Sequence, residues 1–192
     1  FFKTPDYIIS GLESNIRDNL NYPSPQGELV LRKELSTKYK KRFGFDVSED
    51  NIFVTNGGVH AIFCAIASIL NEGDEVIIPE PCWPQYINIT HICGGVPKLI
   101  DTSETNAQLQ VTDLKERITN KTKIIVLNNP VNPTGLVYSE DFLNEVISIA
   151  REYNIKLVVD EVYNQIVFDK SFKSILQVSG YQSSKENIIY IN

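Results

Sequence analysis

From residue 51 to residue 192, short apolar segments alternate with longer helical patterns, and this alternation restricts the possible folds more than any other feature of the chain. Strands that alternate with helices form a mostly parallel sheet with helices on both faces. The sequence therefore predicts a three-layer α/β/α fold. The predicted strands are NIFVT (51–55), EVIIP (75–79), PKLI (97–100), KIIVL (123–127), KLVVD (156–160) and NIIYI (187–191).

Three helices are predicted between these strands and two before them. The helix over residues 59–70 is apolar all round, so we expect it to be buried. Thr4 is the expected N-cap of the first helix, with Pro5 at its first position, and Gly44 is the expected C-cap of the second. The predicted ranges are 5–20, 28–43, 59–70, 84–94 and 139–154, with Ile8, Leu12, Ile16 and Leu20 on one face of the first helix.

The composition argues against several classes of protein. The net charge is −6 with a pI near 5.0. The basic run between Lys38 and Arg42 fits the solvated face of an amphipathic helix, so we expect no nucleic-acid partner. Three cysteines without CxxC spacing indicate reduced thiols in a cytoplasmic protein, and the two histidines have no partner at metal spacing. The sequence contains no signal-peptide pattern or membrane-spanning run, so no membrane partner is expected.

The segment NNPVNPTG (128–135) follows the predicted strand KIIVL. Pro130 and Pro133 fix φ and remove backbone donors, and the asparagine before each is restricted to extended or turn conformations. The segment is therefore a stiff loop at the carboxyl end of a strand, where ligands bind in sheets of this kind. We expect this loop to hold a side chain, Asn132, in place.

Asp160 directly follows the apolar strand residues KLVV, and Glu161 and Tyr163 come next. A carboxylate beside a buried strand is costly unless it is paired, so we expect a cation other than Mg²⁺ next to Asp160. The segment is similar to the magnesium-binding strand of nucleotide hydrolases. The GxxxxGK[ST] loop that such enzymes require is absent, which argues against that activity.

Two other predicted strands also end in segments of possible functional importance. Gly57 and Gly58 open a helix, and this pair is either a tight turn or an anion site made of bare backbone amides. The spacing is not GxGxxG, which argues against a dinucleotide. Trp83, the only tryptophan, lies in a proline-bounded loop and is either a core residue or a flat surface for a planar ring.

Pyridoxal phosphate fits these features together: a phosphate cradle, a stacking surface, a buried carboxylate, an amide and a phenol. It is a planar pyridine ring with a phosphate arm, a ring nitrogen and a phenolate-like oxygen. A carboxylate beside the ring nitrogen keeps that nitrogen protonated, which makes the ring an electron sink. The amide of Asn132 and the phenol of Tyr163 would then hold the ring oxygen.

The chain resembles the class I/II aminotransferases, which share the aspartate aminotransferase fold (fold type I of the pyridoxal-phosphate enzymes), across nearly its whole length. Five segments carry the resemblance, in order and with natural spacings. They are YPSPQGELVLRKEL, VTNGGVHAI, GDEVIIPEPCWPQY, NNPVNPTG and VVDEVYNQIVF. The resemblance implies that Gly57, Gly58 and Val59 line the phosphate of the cofactor and that Trp83 stacks on its pyridine ring.

The resemblance also assigns roles to four polar residues. Asn132 and Tyr163 would bind the ring oxygen, and Asp160 would bind the ring nitrogen. Asp160 and Tyr163 are thus the expected catalytic residues of this chain. Tyr22 would reach the phosphate of the partner subunit in a homodimer.

Two parts of the family pattern are not in this sequence: a small-domain glycine motif expected before Phe1, and the Schiff-base lysine expected soon after Asn192. We therefore expect residues 1–20 to be an N-terminal arm or small-domain helix. Residues 21–192 would be a partial cofactor-binding large domain that is inactive alone. An antiparallel strand that follows that lysine in the family should lie between NIFVT and NIIYI.

The leading interpretation is an aminotransferase that moves an amino group between an amino acid and a 2-oxo acid. A carbon–sulfur lyase would use the same electron sink for β-elimination. A transcription regulator with an aminotransferase-like effector domain is a third possibility, and it requires a DNA-binding domain before Phe1. The sequence leaves the substrate open.

Overall fold

The structure, a computed structural model, describes residues 2–17, 22–168 and 172–192. Its centre is a five-stranded sheet in which every strand pairs in parallel with its neighbours. The strands are β1 (Glu75–Glu80), β2 (Val96–Asp101), β3 (Thr122–Asn128), β4 (Lys156–Asp160) and β5 (Ile188–Ile191). Their order across the sheet is β2-β1-β3-β4-β5.

The helices are α1 (Asp6–Asn15), α2 (Leu29–Phe43), α3 (Gly58–Ala67), α4 (Gln85–Ile92), α5 (Val111–Arg117) and α6 (Glu140–Glu152). Four of them, α3 to α6, cover both faces of the sheet, which confirms the three-layer α/β/α prediction. α3 and α4 lie on one face and α5 and α6 on the other. α5 was not predicted, because it is short and has no side-chain hydrogen bond at its N-cap.

Two apolar cores form because successive side chains of a strand point to opposite faces of the sheet. In β4, Val158 packs with α3 and α4 in one core, and Leu157 and Val159 pack with α5 and α6 in the other. All three side chains are fully buried. The central strands are therefore anchored on both faces, and their carboxyl ends form a rigid edge.

The ends of the first two helices test the capping predictions. Gly44 is left-handed, with φ 68°, at the end of α2, as predicted. The N-cap prediction for α1 is wrong by one residue: Pro5 is the N-cap and Asp6 the first helical residue. Pro5 keeps an extended ψ of 140°, and its carbonyl accepts hydrogen bonds from the next turn. Leu20, predicted on the apolar face of α1, lies outside the described residues.

Two packing predictions are wrong. Residues 52–55 form no strand, although Ile52 has extended dihedrals (φ −109°, ψ 127°), because no described strand lies beside them. α3 is not buried all round: Ile62 and Ile66 face the sheet, while Val59 is 51% and Phe63 39% exposed. The outer face of α3 is partly exposed in the described structure, so apolar composition alone did not determine its burial.

No helix in the described ranges is long and apolar enough to cross a lipid bilayer.

The N-cap of α6 gives a direct test of this local structure. The Ser139 hydroxyl accepts a hydrogen bond from the Phe142 amide at 3.2 Å. Ser139→Ala is expected to lower the free energy of unfolding by about 1 kcal/mol, because that amide loses its partner. The control is Ser148→Ala on the same helix, whose exposed hydroxyl only contacts the Asn144 carbonyl. Denaturant titration should show a lower midpoint for Ser139→Ala alone; equal midpoints would contradict the capping role.

Candidate active site

Asp160 lies at the carboxyl end of β4, and its side chain is held by two hydrogen bonds. The Tyr86 hydroxyl donates to Oδ2 at 2.7 Å, and the Val162 amide donates to Oδ1 at 3.1 Å. Asp160 is only 5% exposed. No cationic side chain of the described residues bonds to Asp160, whose donors there are the Tyr86 phenol and the Val162 amide; a cation beside this carboxylate stays a prediction.

Burial raises the pKa of Asp160, and the hydrogen bonds from Tyr86 and Val162 oppose that rise because they favour the carboxylate. Burial, with the nearby charge of Asp160, also raises the pKa of the Tyr86 phenol. Tyr86 therefore stays protonated and remains a hydrogen-bond donor. The sequence reasoning missed Tyr86, although it lies three residues after Trp83 in a segment that ends a strand and starts a helix.

A chain of hydrogen bonds joins Asp160 to two other predicted site residues. The Asn128 amide donates to the Asp160 backbone carbonyl at 3.0 Å. The Asn128 side-chain oxygen accepts from the Asn132 backbone amide at 2.6 Å, and the Asn132 side chain donates to the Tyr163 hydroxyl at 3.4 Å. The structure thus brings Asp160, Asn132 and Tyr163 together at the carboxyl edge, as the sequence predicts.

The loop after β3 is irregular, as predicted, and is held at both ends. The Asn129 amide donates to the Asp160 carbonyl at 2.9 Å. Its side-chain oxygen accepts from the Tyr138 amide at 3.1 Å, which closes the loop. The peptide bonds before Pro130 and Pro133 are cis. The loop that carries Asn132 is therefore fastened to the same strand end as Asp160.

Trp83 is half-buried and meets the cluster through Tyr86. The two rings form an edge contact with centroids 5.5 Å apart and an interplanar angle of 84°. Because Tyr86 also bonds to Asp160, one aromatic residue links the indole to the carboxylate. Trp83 thus packs against the core and lies beside the cluster, and its stacking on a planar ring stays a prediction.

Gly57 and Gly58 open α3, and the structure is compatible with both a tight turn and an anion site at these residues. Gly57 has φ 85°, a conformation that favours glycine, so a tight turn accounts for it. A Cβ at either position would meet nothing within 4 Å, so the space beside the two glycines is open. The Gly57 amide itself donates to the Thr55 carbonyl at 2.8 Å. The first amides of a helix have no acceptor within the helix, which suits an anion. Val59, next in the predicted phosphate site, belongs to the same first turn.

Tyr22 stands apart from these residues. Its side chain is fully exposed, and no hydrogen bond or ring contact in the described part of the chain joins it to them. Gly57, Gly58 and Val59 likewise have no hydrogen bond to the Asp160 cluster in those residues.

Glu161 is a second buried acid beside the cluster. Its Oε1 accepts from the Ile175 amide at 2.7 Å, and its Oε2 has no hydrogen-bond partner among the described residues. Burial raises its pKa to about 7 and the Asp160 charge adds to this rise, while the polar groups of Ser174, Ile175 and Tyr190 oppose it.

The sheet and the polar cluster at its edge place the chain among the α/β proteins whose ligand sites lie at the carboxyl ends of parallel strands. Residues 4–190 match the family described as aminotransferase class I and II. The chain belongs to this family.

Known relatives agree in sequence and in structure. The chain is 38% identical over 177 residues to a probable aspartate aminotransferase of Methanocaldococcus jannaschii, covering 92% of this chain and 47% of the relative. It superposes on a crystal structure of aspartate aminotransferase from Thermotoga maritima with a TM-score of 0.90 and 32% identity, covering 98% of this chain and 50% of that one. An aromatic aminotransferase from Pyrococcus horikoshii gives a TM-score of 0.88 at 30% identity, with 98% and 51% covered. The chain spans about half the length of these relatives.

The two protonation states of Glu161 give a pH-dependent prediction. In the unfolded chain the carboxyl loses its proton near its ordinary pKa of 4.5, whereas the folded chain keeps it until about pH 7. The stabilisation by the protonated form is complete below pH 4.5 and is lost as the pH rises to about 7. Glu161→Gln, which is neutral at every pH, should lack this loss.

The expected gain for Glu161→Gln over the unmodified protein is about 2–3 kcal/mol larger at pH 8 than at pH 4. Denaturant titrations at a series of pH values measure it. Glu145→Gln is the control, because Glu145 is exposed on α6. A constant difference between Glu161→Gln and the unmodified protein at all pH values would contradict the prediction.

Proposed function

We propose that this chain forms the cofactor-binding core of a pyridoxal-phosphate-dependent aminotransferase, which moves an amino group between an amino acid and a 2-oxo acid. The observation that carries the proposal is the buried Asp160 carboxylate, held by the Tyr86 hydroxyl at the same strand edge as Asn132 and Tyr163. Its relatives support the proposal, since they include aspartate and aromatic aminotransferases.

The residues present fit pyridoxal phosphate. Asp160 is a buried carboxylate without a cationic partner among the described residues, which suits a protonated ring nitrogen. The open space at Gly57 and Gly58 suits a phosphate, and Trp83 offers an aromatic surface next to Tyr86. When bound, the cofactor supplies an electron sink for the carbanion formed at the substrate.

The chain's own residues have separate tasks in this proposal. Asp160 keeps a proton on the ring nitrogen, and Tyr86 holds the Asp160 carboxylate in place by its hydrogen bond. Asn132 and Tyr163, already paired with each other, donate to the ring oxygen. The amides of Gly58 and Val59 bind the phosphate and Gly57 lines it, because the Gly57 amide itself donates to the Thr55 carbonyl. Trp83 stacks on the ring.

The proposal includes a homodimer in which Tyr22 binds the phosphate of the partner subunit. The full exposure of Tyr22 supports it, because the phenol is available to another chain. The exposed apolar face of α3, including Val59 and Phe63, also needs a covering surface. A cytoplasmic location is supported by three free cysteines, Cys64, Cys82 and Cys93.

Replacement of Asp160 tests the proposed chemistry. In the full-length protein, Asp160→Ala should lower the turnover number for transamination by on the order of 10²-fold or more, because the ring nitrogen loses its counter-charge. The control is Asp141→Asn, since Asp141 is exposed on α6. Steady-state kinetics measure the loss, and circular dichroism checks that both variants are folded. Near-normal turnover of Asp160→Ala would rule out the assigned role.

The oligomeric state tests the role of Tyr22. The full-length protein is expected to sediment as a dimer at micromolar concentration, because apolar surface is exposed on a single chain. Analytical ultracentrifugation measures this directly. A monomer at that concentration would contradict the shared phosphate site.

A further inference from the structure

The guanidinium of Arg32 is buried without a buried counter-ion among the described residues. Arg32 is 6% exposed, and it is the buried residue of α2. Its Nε donates to the Gly27 carbonyl at 3.1 Å, and its Nη1 donates to the Glu49 carbonyl at 2.7 Å. The nearest carboxylate, that of Asp50, is 3.7 Å away on a side chain that is 83% exposed. Arg32 therefore acts mainly on two backbone carbonyls, which belong to separate segments.

Other contacts hold the same two segments together. The Gln26 side chain donates to the Asp50 carbonyl at 3.0 Å, and the Gln26 carbonyl accepts from the Val54 amide at 2.9 Å. Gly27 has φ 94°, and a Cβ there would lie 2.5 Å from the Cβ of Val54. We call residues 24–27, Arg32 and residues 49–54 the Arg32 clamp.

The clamp lies in the sequence between two elements of the proposed phosphate sites. Tyr22 precedes it; Pro23, between Tyr22 and the clamp, and Pro25, within the clamp, restrict the backbone. Thr55 and Gly57 follow it directly. The Gly57 amide donates to the Thr55 carbonyl at 2.8 Å, and the Thr55 hydroxyl donates to the Gly57 carbonyl at 3.0 Å. Both connections are short and restrained, so a shift of the clamp moves both elements.

We propose that Arg32 is a positioning residue that fixes Tyr22 relative to the Gly57–Gly58 turn through the carbonyls of Gly27 and Glu49. The inference rests on the proposed function, in which Tyr22 binds the phosphate of the partner subunit and the glycine turn binds the phosphate of its own. One clamp then sets the positions of groups that serve two different cofactors. The two cofactor sites of the dimer are mechanically connected through Arg32.

A double-mutant cycle tests this connection in the full-length protein. Equilibrium dialysis gives the Kd of pyridoxal phosphate for the unmodified protein, Tyr22→Phe, Arg32→Lys and the double variant. Lysine keeps the charge but cannot bond both carbonyls with a planar fork. Each single change should weaken binding by about tenfold, because each removes or misplaces a hydrogen bond to a charged group. If the two changes acted independently, their effects on Kd would multiply. The Kd of the double variant should be at least about fivefold lower than that product, because a Tyr22 already displaced by Arg32→Lys contributes little to binding.

Arg42→Lys is the matched control. Arg42 also lies on α2, but its guanidinium bonds to the Asn164 side chain at 3.0 Å, outside the clamp. Combined with Tyr22→Phe, Arg42→Lys should give effects on Kd that simply multiply. If Tyr22→Phe weakens binding but its effect on Kd also multiplies with that of Arg32→Lys, the inference is overturned. The proposed function would remain. An unchanged Kd in Tyr22→Phe would remove the proposed role of Tyr22 and the inference with it.

A milder variant decides the question if Arg32→Lys does not fold, as thermal unfolding would reveal. Gln26→Ala removes one tie of the clamp, the hydrogen bond to the Asp50 carbonyl, and leaves Arg32 in place. The Kd of the double variant Gln26→Ala/Tyr22→Phe should be lower than the product of the two single effects predicts, by about twofold or more. If the effects of Gln26→Ala and Tyr22→Phe on Kd multiply in this second cycle, the inference is also overturned.

Discussion

The candidate site depends on a carboxylate that is kept out of water at the end of a central strand. Removing a carboxylate from water is costly unless hydrogen bonds or opposite charges compensate for it. Asp160 has a phenol and one backbone amide as partners, so its compensation within the described residues comes from neutral donors. Its backbone is fixed as well, because Asn128 and Asn129 both donate to its carbonyl. The position of the charge is thus set by the sheet and not by an ion pair.

The neighbouring acid, Glu161, is also buried, but it lies on the other side of the sheet and prefers its protonated form. Asp160 faces Tyr86 in the core beneath α3 and α4, whereas Glu161 bonds to Ile175 in the opposite core. Two adjacent buried carboxylates would repel each other if both were charged. Glu161 prefers its protonated form up to about pH 7, which spares the Asp160 site a second negative charge.

The sheet and much of the site follow from the sequence because their causes are local. Apolar runs flanked by helical patterns predict parallel strands, and the ends of those strands give the places of Asp160 and Asn132. The partnership of Tyr86 with Asp160 is not local: it joins residues 74 positions apart, and no spacing rule reveals it. The strand predicted at residues 51–55 does not form for a related reason. A strand requires a neighbouring strand to pair with, and apolar composition does not show whether one is present.

Three strands end in line at the candidate site: Asn128 pairs with Asp160, and Asp160 pairs with Ile191. Side chains of a strand alternate between the faces with a period of two, so gaining or losing one residue within β4 would turn Asp160 toward the other core. The number of residues in each central strand is therefore constrained as strictly as the chemistry at its end. Insertions and deletions in related chains should accumulate in the connections at the amino edge of the sheet, where a change of length leaves this line intact.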